Sequence, residues 1–292
     1  MELKKTKIIA IFLFILAVLV SGCSASNPKE SKALIEKDKP EGSSSKAQDL
    51  DQKVLSFNLE GYTEQGQKKW EIAGESADVV LDEVNLKKIV AKVYNEETTL
   101  TLTADAGSYQ KNSGDILLTK NIVATTTDGS RLTAESLKWS QKQEQITTQD
   151  ALTLEKDDIK ISGDNAIAST KLKQVELKEN AKVEMKPSTV ITCEGSLEFD
   201  YELGVAVFND KVVITDERGE ISADKITAYI DKDNKNVREI VAEGNVRIKR
   251  GENNTYSEKA VYNAVDGKIT LVGAPKLVIY PEEGNIPDMF PK

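Results

Sequence analysis

The stretch Leu132-Thr133-Ala134-Glu135 shows a four-residue pattern: an apolar residue, usually a hydroxyl residue, a small residue and an acid. Further copies lie at Ile72-Ala73-Gly74-Glu75, Leu102-Thr103-Ala104-Asp105, Ile161-Ser162-Gly163-Asp164, Ile191-Thr192-Cys193-Glu194, Ile221-Ser222-Ala223-Asp224 and, degraded, Thr255-Tyr256-Ser257-Glu258. The acids of successive copies are 30, 30, 29, 30, 30 and 34 residues apart. Such a fixed period indicates a repeat protein whose units stack on one another.

A second column of residues keeps step with the acids, and each of its members begins a short segment of alternating apolar residues. It consists of Asn121, Asp150, Asn180, Asp210 and Asn245. The apolar runs between these positions are short, rich in Val, Ile, Leu and Thr, and interrupted by Gly, Asn and Asp. No segment beyond the N-terminal apolar run sustains a helical period, so the sequence predicts an all-β fold.

The motif also predicts a bend. Its apolar and small residues share one face of a strand, but after the acid the apolar residues move to the acid's own face, as at Leu137 and Trp139. A shift of one residue indicates a bulge or corner. A single coil per repeat would stack the acids ~4.8 Å apart, which is unfavourable. We therefore expect two strands per repeat, in an elongated antiparallel β-roll built from units of about 30 residues.

Composition excludes several functions. The 292-residue chain has a net charge of −9 and a pI of about 4.9, which argues against nucleic-acid binding, since that depends on Lys and Arg at phosphates. It contains no histidine, the commonest general base and metal ligand. We expect no enzyme activity, no cofactor and no metal.

The N-terminus has the features of a signal peptide over residues 1–22. Three lysines precede a 13-residue apolar run, which is short for a membrane span, and Val20-Ser21-Gly22-Cys23 resembles a bacterial lipobox. That resemblance implies that Cys23 is acylated and anchors the mature protein in a membrane. The alternatives are an ordinary cleaved signal or an uncleaved short anchor.

The remaining chain divides by composition. Residues 23–52 are rich in Ser, Lys, Glu, Pro and Gly and predict a flexible tether. Residues 53–281 carry the repeats, and residues 282–292 form a C-terminal tail.

Two features could be mistaken for catalytic groups. Cys193 occupies the small-residue column, which favours a buried filler over a nucleophile or redox thiol. The acids recur in every unit, which favours turn hydrogen bonds or a solvated face over metal ligation or paired catalytic carboxylates.

Several segments resemble a known family. The stretch from Gly61 to Gly74 and that from Asp128 to Trp139 are similar to periplasmic lipopolysaccharide-export bridge proteins of the LptC type. Later units, such as Ile221-Ser222-Ala223-Asp224 with Glu243-Gly244-Asn245-Val246, resemble the OstA-like domain shared with the bridge component LptA. The resemblance covers residues 54–280, LptC-like in the first half and OstA-like in the second.

The resemblance implies an open roll of antiparallel strands, of the β-taco or β-jellyroll kind, with an apolar groove. Lipopolysaccharide acyl chains would slide along that groove from the inner-membrane export ATPase complex toward the outer membrane. The implied partners are lipopolysaccharide, that ATPase complex, other bridge proteins of the same fold, and a membrane reached through the lipid anchor. The implied place is the periplasm, with the inner membrane favoured and the outer membrane as the alternative. Unlike members that keep a transmembrane helix, this chain would replace the helix with a lipid on Cys23.

The motif supplies a candidate groove made of its apolar and small positions. The candidate residues are Ile72, Leu102, Ala104, Leu132, Ala134, Ile161, Ile191 and Ile221. The same side chains could instead fill a closed core. In that case the protein would be an extracytoplasmic scaffold or adhesin without a lipid ligand. A carbohydrate-active enzyme is a weaker alternative, because no cluster of non-repeated polar residues supports it.

Overall fold

The structure, a computed structural model, describes residues 52–94, 98–169, 171–231 and 236–280. The predicted signal peptide, Cys23, the predicted tether as far as residue 51 and the predicted tail lie outside the described residues.

The described residues form β-strands and no helix. The strands are β1 Gln52–Tyr62, β2 Lys68–Val80, β3 Glu83–Tyr94, β4 Thr99–Gln110, β5 Ile116–Thr126, β6 Arg131–Ser140, β7 Gln145–Thr148, β8 Leu152–Lys156, β9 Ile159–Ser169, β10 Gln174–Met185, β11 Thr189–Thr192, β12 Leu197–Asp200, β13 Val205–Asp216, β14 Gly219–Ile230, β15 Val237–Arg250, β16 Asn253–Asn263, β17 Lys268–Val272 and β18 Lys276–Val278. Within these residues there is accordingly no apolar helix that could cross a membrane.

All eighteen strands belong to one antiparallel sheet in which each strand position pairs with the next one along the chain. Three positions are occupied by two short strands each. The pair β7 and β8 lies between β6 and β9, β11 and β12 lie between β10 and β13, and β17 with β18 completes the edge beside β16. The motif acids fall on every second position, so the predicted meander with two strands per repeat is confirmed.

A bend interrupts the strands near their middle, as the change of face predicts. Registers shift between Thr119 and Ile122 on β5 and between Glu179 and Lys182 on β10. Residues with positive φ lie at these bends: Asn121, Asn165, Asn180, Asp210 and Asn245 lie between φ 47° and 60°. Asn and Asp tolerate this left-handed conformation better than other residues with a side chain. Four members of the second column, Asn121, Asn180, Asp210 and Asn245, therefore mark bends by their positive φ. Asp150 does not have a positive φ, and Asn165 has one without belonging to the column.

The acids and amides of the repeat meet at the bends. An amide on one strand donates a hydrogen bond to the acid on the preceding strand position, at 2.7 Å for Asn121 and Asp105, 2.6 Å for Asn180 and Asp164, and 2.8 Å for Asn245 and Asp224. Hydrogen bonds from Lys88 and Asn121 lower the pKa of Asp105. The acid column thus supplies structural hydrogen bonds.

The bends divide the sheet into two leaves that face each other. We call the strand halves that carry the apolar and small residues of the motif, such as 131–134, the first leaf. The second leaf holds the halves beyond the acid, such as 136–140. Alternate side chains from both leaves form one continuous hydrophobic cluster, which includes Leu132 on the first leaf and Leu137 on the second.

In the N-terminal half the space between the leaves is packed. One cross-strand row on the first leaf contains Leu102, Ala124, Leu132, Leu154 and Ile161, all at most 8% exposed. The next row lies at the rim of the leaf, the strand ends farthest from the bends, and its side chains are also buried.

The closed rim consists of Leu100 with a polar cluster beside it. Leu100 and Ser130 are each 1% exposed, and Thr126 is buried. Lys156 and Asp128 form an ion pair there, and Asp128 also accepts hydrogen bonds from Thr126 and Ser130. Burial alone would raise the pKa of Asp128, but the hydrogen bonds from Lys156, Thr126 and Ser130 outweigh it and lower that pKa to about 2. The cluster covers the rim with polar groups that satisfy one another.

Candidate functional site

A cavity of about 640 Å³ lies between the two leaves in the C-terminal half of the molecule. Its walls begin at β9 with Ile161 and β10 with Val175 and reach β17 with Ile269. The volume lies within the range of about 300–1,000 Å³ that is usual for sites binding small molecules.

The first-leaf wall continues the row that is packed in the N-terminal half. Beyond Ile161 the pairing leads through Val183, Ile191, Ile214, Ile221 and Ile248, each opposite the last on the neighbouring strand. All five line the cavity. From Ile191 onward the row is only half-buried. One apolar stripe is therefore core at one end of the molecule and cavity wall at the other.

The opposite wall comes from the second leaf and is also apolar. It includes Val175, Leu197, Phe199, Ala206, Phe208, Ile226, Ala228, Ile240, Ala242, Ala260 and Tyr262. Two apolar walls joined along a row of bends and open at the rims have the shape of a cleft.

The eight groove residues predicted from the motif fall into two groups. Ile161, Ile191 and Ile221 line the cavity. The others lie in the N-terminal half: Leu102, Ala104, Leu132 and Ala134 are buried in the core cluster, and Ile72 is half-buried against it. The structure does not bring these five to the cavity, and their contact with a ligand stays a prediction.

Several wall residues were not predicted because they lie on strands between the motif copies. Ile214, Ile248 and Phe208 are examples. Each is an apolar residue in an alternating run, beside the Asn and Asp column. Extending the face of Ile191 and Ile221 to the strands paired with them would have identified Ile214 and Ile248.

The lips of the cavity carry charge. On the lip of the first leaf, Arg218 donates two hydrogen bonds to Asp216, from Nε at 2.9 Å and from Nη2 at 2.5 Å. Burial would raise the pKa of Asp216, but the hydrogen bonds from Arg218 lower it below the ordinary value. Arg250 lines the same lip, and Arg238 lines the lip of the second leaf.

Cys193 lies at the bend of its repeat and is 7% exposed. Burial raises the pKa of its thiol, which keeps the group protonated and unreactive. The thiol donates to the Gly195 carbonyl at 3.4 Å. The burial agrees with the filler role predicted for it.

Among the described residues, no group of three or more His, Cys, Asp or Glu side chains is placed to hold a metal ion. What the cavity does offer is extended apolar contact with charge at its lips. This combination suits the chains of an amphiphile, whose polar part stays at the mouth.

Comparisons with known proteins place the chain in a family. Residues 13–186 match the profile described as lipopolysaccharide-assembly, LptC-related. Residues 195–286 match the profile described as LptA/(LptD N-terminal domain) LPS transport protein. No curated protein matches the chain.

Among solved structures, the chain is similar to LptH, described as the LptA homologous periplasmic component of the conserved lipopolysaccharide transport device from Pseudomonas aeruginosa. That similarity covers 42% of this chain and 95% of that chain, with 14% identity and a TM-score of 0.36. The LptC-related profile alone matches more than half of the sequence. The chain therefore belongs to the LptC-related lipopolysaccharide-assembly family.

Proposed function

We propose that this protein is a periplasmic bridge component of lipopolysaccharide export, which holds lipid A acyl chains in the cavity between its leaves. The observation that carries the proposal is the apolar cavity of about 640 Å³ in a chain of a lipopolysaccharide-assembly family. The part that contains most of the cavity wall also matches the LptA-type transport profile.

The walls supply enough apolar contact for this role. Burying acyl chains yields ~0.8 kcal/mol per CH₂, so a chain of about a dozen carbons gains on the order of 10 kcal/mol. The wall residues Ile191, Ile214, Ile221 and Ile248 follow one another on adjacent strands. Neighbouring positions are ~4.8 Å apart and nearly equivalent in chemistry, so a lipid can move between them without a large change in affinity. The driving force would come from the inner-membrane export ATPase.

The edges of the sheet support a place in a chain of bridge proteins. Among the described residues, β1 and the β17–β18 position each pair on one side only. Large apolar side chains are exposed there, including Leu55 at 69% and Leu277 at 61%. An unpaired edge accepts a strand from another protein. We propose that proteins of the same fold join at these edges.

The membrane anchor of the proposal is a lipid on Cys23, which follows the predicted signal peptide. Replacing Cys23 by Ala should release the protein from membranes or block its processing. Unchanged fractionation together with an unchanged N-terminal mass would contradict the anchor and leave the cavity proposal intact.

The cavity is tested by photo-crosslinking in cells with an active export ATPase. A crosslinker at Ile221 or Ile248, both cavity walls, should capture lipopolysaccharide. The matched control is Ser222, the neighbour of Ile221 that faces away from the cavity. Capture at Ser222 as strong as at Ile221, or capture at neither, would contradict the proposal.

The packed N-terminal half favours a second role for that part of the molecule. Its interior rows are at most 8% exposed from Leu102 to Ile161, as in a scaffold. A crosslinker at Leu132 that captures only residues of the same chain would support a spacer role for this half. Capture of lipopolysaccharide there would show that the packed core opens during transport.

A further inference from the structure

The strand β15 carries an arginine at each end of its inward face. This face reads Arg238, Ile240 and Ala242 before the bend and Val246, Ile248 and Arg250 after it. The bend lies at Gly244 and Asn245, which both have positive φ. Because β15 runs from the rim of the second leaf to the rim of the first, the two arginines stand on opposite lips of the cavity. Both line it.

Two other strands that line the cavity, the neighbouring β14 and the more distant β10, do not share this arrangement. The inward face of β14 contains Ile221, Ala223, Ile226, Ala228 and Ile230. That of β10 contains Val175, Leu177, Ala181, Val183 and Met185. Apolar residues at the ends of β15 would have extended the apolar walls to the lips. The two arginines instead make the lips suited to contact a charged or polar group.

Neither arginine side chain supports the fold through an ion pair within the part of the chain that the structure describes. Arg238 and Arg250 are exposed, and neither forms an ion pair with another described residue. By contrast, Arg218, which is on the same lip as Arg250, forms an ion pair with Asp216 at 2.5 Å. Glu220, Asp231 and Lys249 are the other charged residues around the mouth. The chain has 48 acids for 39 bases, so two unpaired arginines at one cavity are not explained by a shortage of acidic partners.

We infer that Arg238 and Arg250 bind the anionic head group of the amphiphile whose chains occupy the cavity. A guanidinium presents a planar fork of donors that matches the oxygen atoms of a phosphate or a carboxylate. One arginine on each lip holds a head group that spans the mouth, while the chains lie against Ile221 and Ile248 below it. This inference rests on the proposed function, and it adds a selection for anionic over neutral amphiphiles.

The test compares two lipids with the same acyl chains. The purified full-length protein is titrated with a phosphatidic acid and with the corresponding neutral diacylglycerol, by displacement of an uncharged fluorescent acyl-chain probe. The unaltered protein should bind the phosphatidic acid about tenfold more tightly or better, as for charge-assisted hydrogen bonds. The double variant Arg238→Gln/Arg250→Gln should lose that preference and keep its affinity for diacylglycerol.

Matched variants separate head-group binding from other effects. Arg247→Gln removes the same charge from the outward face of β15, where Arg247 contacts Asn254 at 3.0 Å, and should keep the preference. Arg238→Lys/Arg250→Lys keeps both charges and should retain part of the preference for phosphatidic acid. This variant also provides the test if the Gln variant does not fold.

Two results would overturn the inference alone. One is an unchanged preference in a folded Gln variant, and the other is an equal loss of both lipids. If neither of the two lipids nor lipopolysaccharide displaces the probe from the unaltered protein, the proposed function fails as well. Repeating the titration with a fatty acid shows whether the two arginines bind a carboxylate head group or only a phosphate.

Discussion

The two halves of the molecule use the same repeat to make different interiors. Leu132 in the N-terminal half and Ile221 in the C-terminal half hold the same place in the motif and the same row of the first leaf. Leu132 is 3% exposed in a packed core, while Ile221 is half-buried and lines a cavity. The motif itself therefore does not decide between core and wall.

The difference arises one row outward, at the rim of the first leaf. In the N-terminal half this row holds Leu100 and Ile159, which are 1% and 5% exposed and fill the space between the leaves. In the C-terminal half the corresponding positions at the mouth are Asp216, Gly219 and Arg250. A glycine and charged groups cannot fill an apolar gap, so the interior stays open there.

The largest expected effect separates the two halves directly. Leu132→Asp places a carboxylate in the packed core and should lower the free energy of unfolding by about 4 kcal/mol or more. Ile221→Asp places it at a wall that borders open space, so it should cost less stability and mainly weaken lipid binding. Thermal melting and lipid titration of both variants measure this. Equal destabilisation by the two changes would show that the cavity is closed in solution.

The bends should respond alike in both halves. Asn121→Ala and Asn245→Ala each remove a positive-φ asparagine and its hydrogen bond to an acid, at a cost of about 1–2 kcal/mol. Asn121→Gly keeps the backbone conformation available and should cost less. Urea midpoints provide the measurement, and a bend that matters in one half only would contradict the equivalence of the repeats.

The two rims should differ in their response to pH. Asp128→Asn should cost about 1 kcal/mol at neutral pH, since the ion pair with Lys156 is largely shielded from solvent. Because the folded pKa of Asp128 is lowered, its contribution is present above the ordinary carboxyl pKa of 3.8 and is lost as the pH falls toward about 2. The variant should lack that step between pH 4 and 2 in unfolding titrations.

The corresponding change in the C-terminal half is Asp216→Asn. Its partner Arg218 is 73% exposed, so solvent screens this pair and the variant should cost less than Asp128→Asn. The reverse order would show that the open rim, not the closed one, depends on its ion pair.

The smallest effect is expected at Cys193. Cys193→Ala should cost at most about 1 kcal/mol and leave lipid binding unchanged, because alanine fills the same column at Ala104 and Ala223. Cys193→Leu, which overfills the site, should cost more. A folded Cys193→Ala protein that no longer binds lipid would restore a role for the thiol.

The sequence predicts the strands and bends of this protein better than its cavity. The all-β class, the antiparallel order and the position of the bends follow from local signals: alternation, the change of face after the acid, and Asn at positions that need a positive φ. Ile161, Ile191 and Ile221 could be proposed as wall residues for the same reason.

What the sequence does not show is the distance between the leaves. That distance depends on which side chains occupy the rim row of the first leaf, and these lie far apart along the chain: Leu100 and Ile159 at one end, Gly219 and Arg250 at the other. Arg238 and Arg250 were missed because they end a strand and look like ordinary surface charges until the bend between them is placed. Arg238 lies on the same face of the strand as Ile240, and Arg250 on the same face as Ile248. This shared face is the signal that could have identified them.

The pairing of each strand position with its successor makes the chain a molecular ruler. Each repeat contributes two strand positions, and therefore ~10 Å along the axis of the roll. Because none of the strands described here pairs back with an earlier part of the chain, a repeat can be gained or lost without changing the pairing of those that remain. The distance between the two free edges, and so the gap that the protein can span between its neighbours, is then set in steps by the number of repeats.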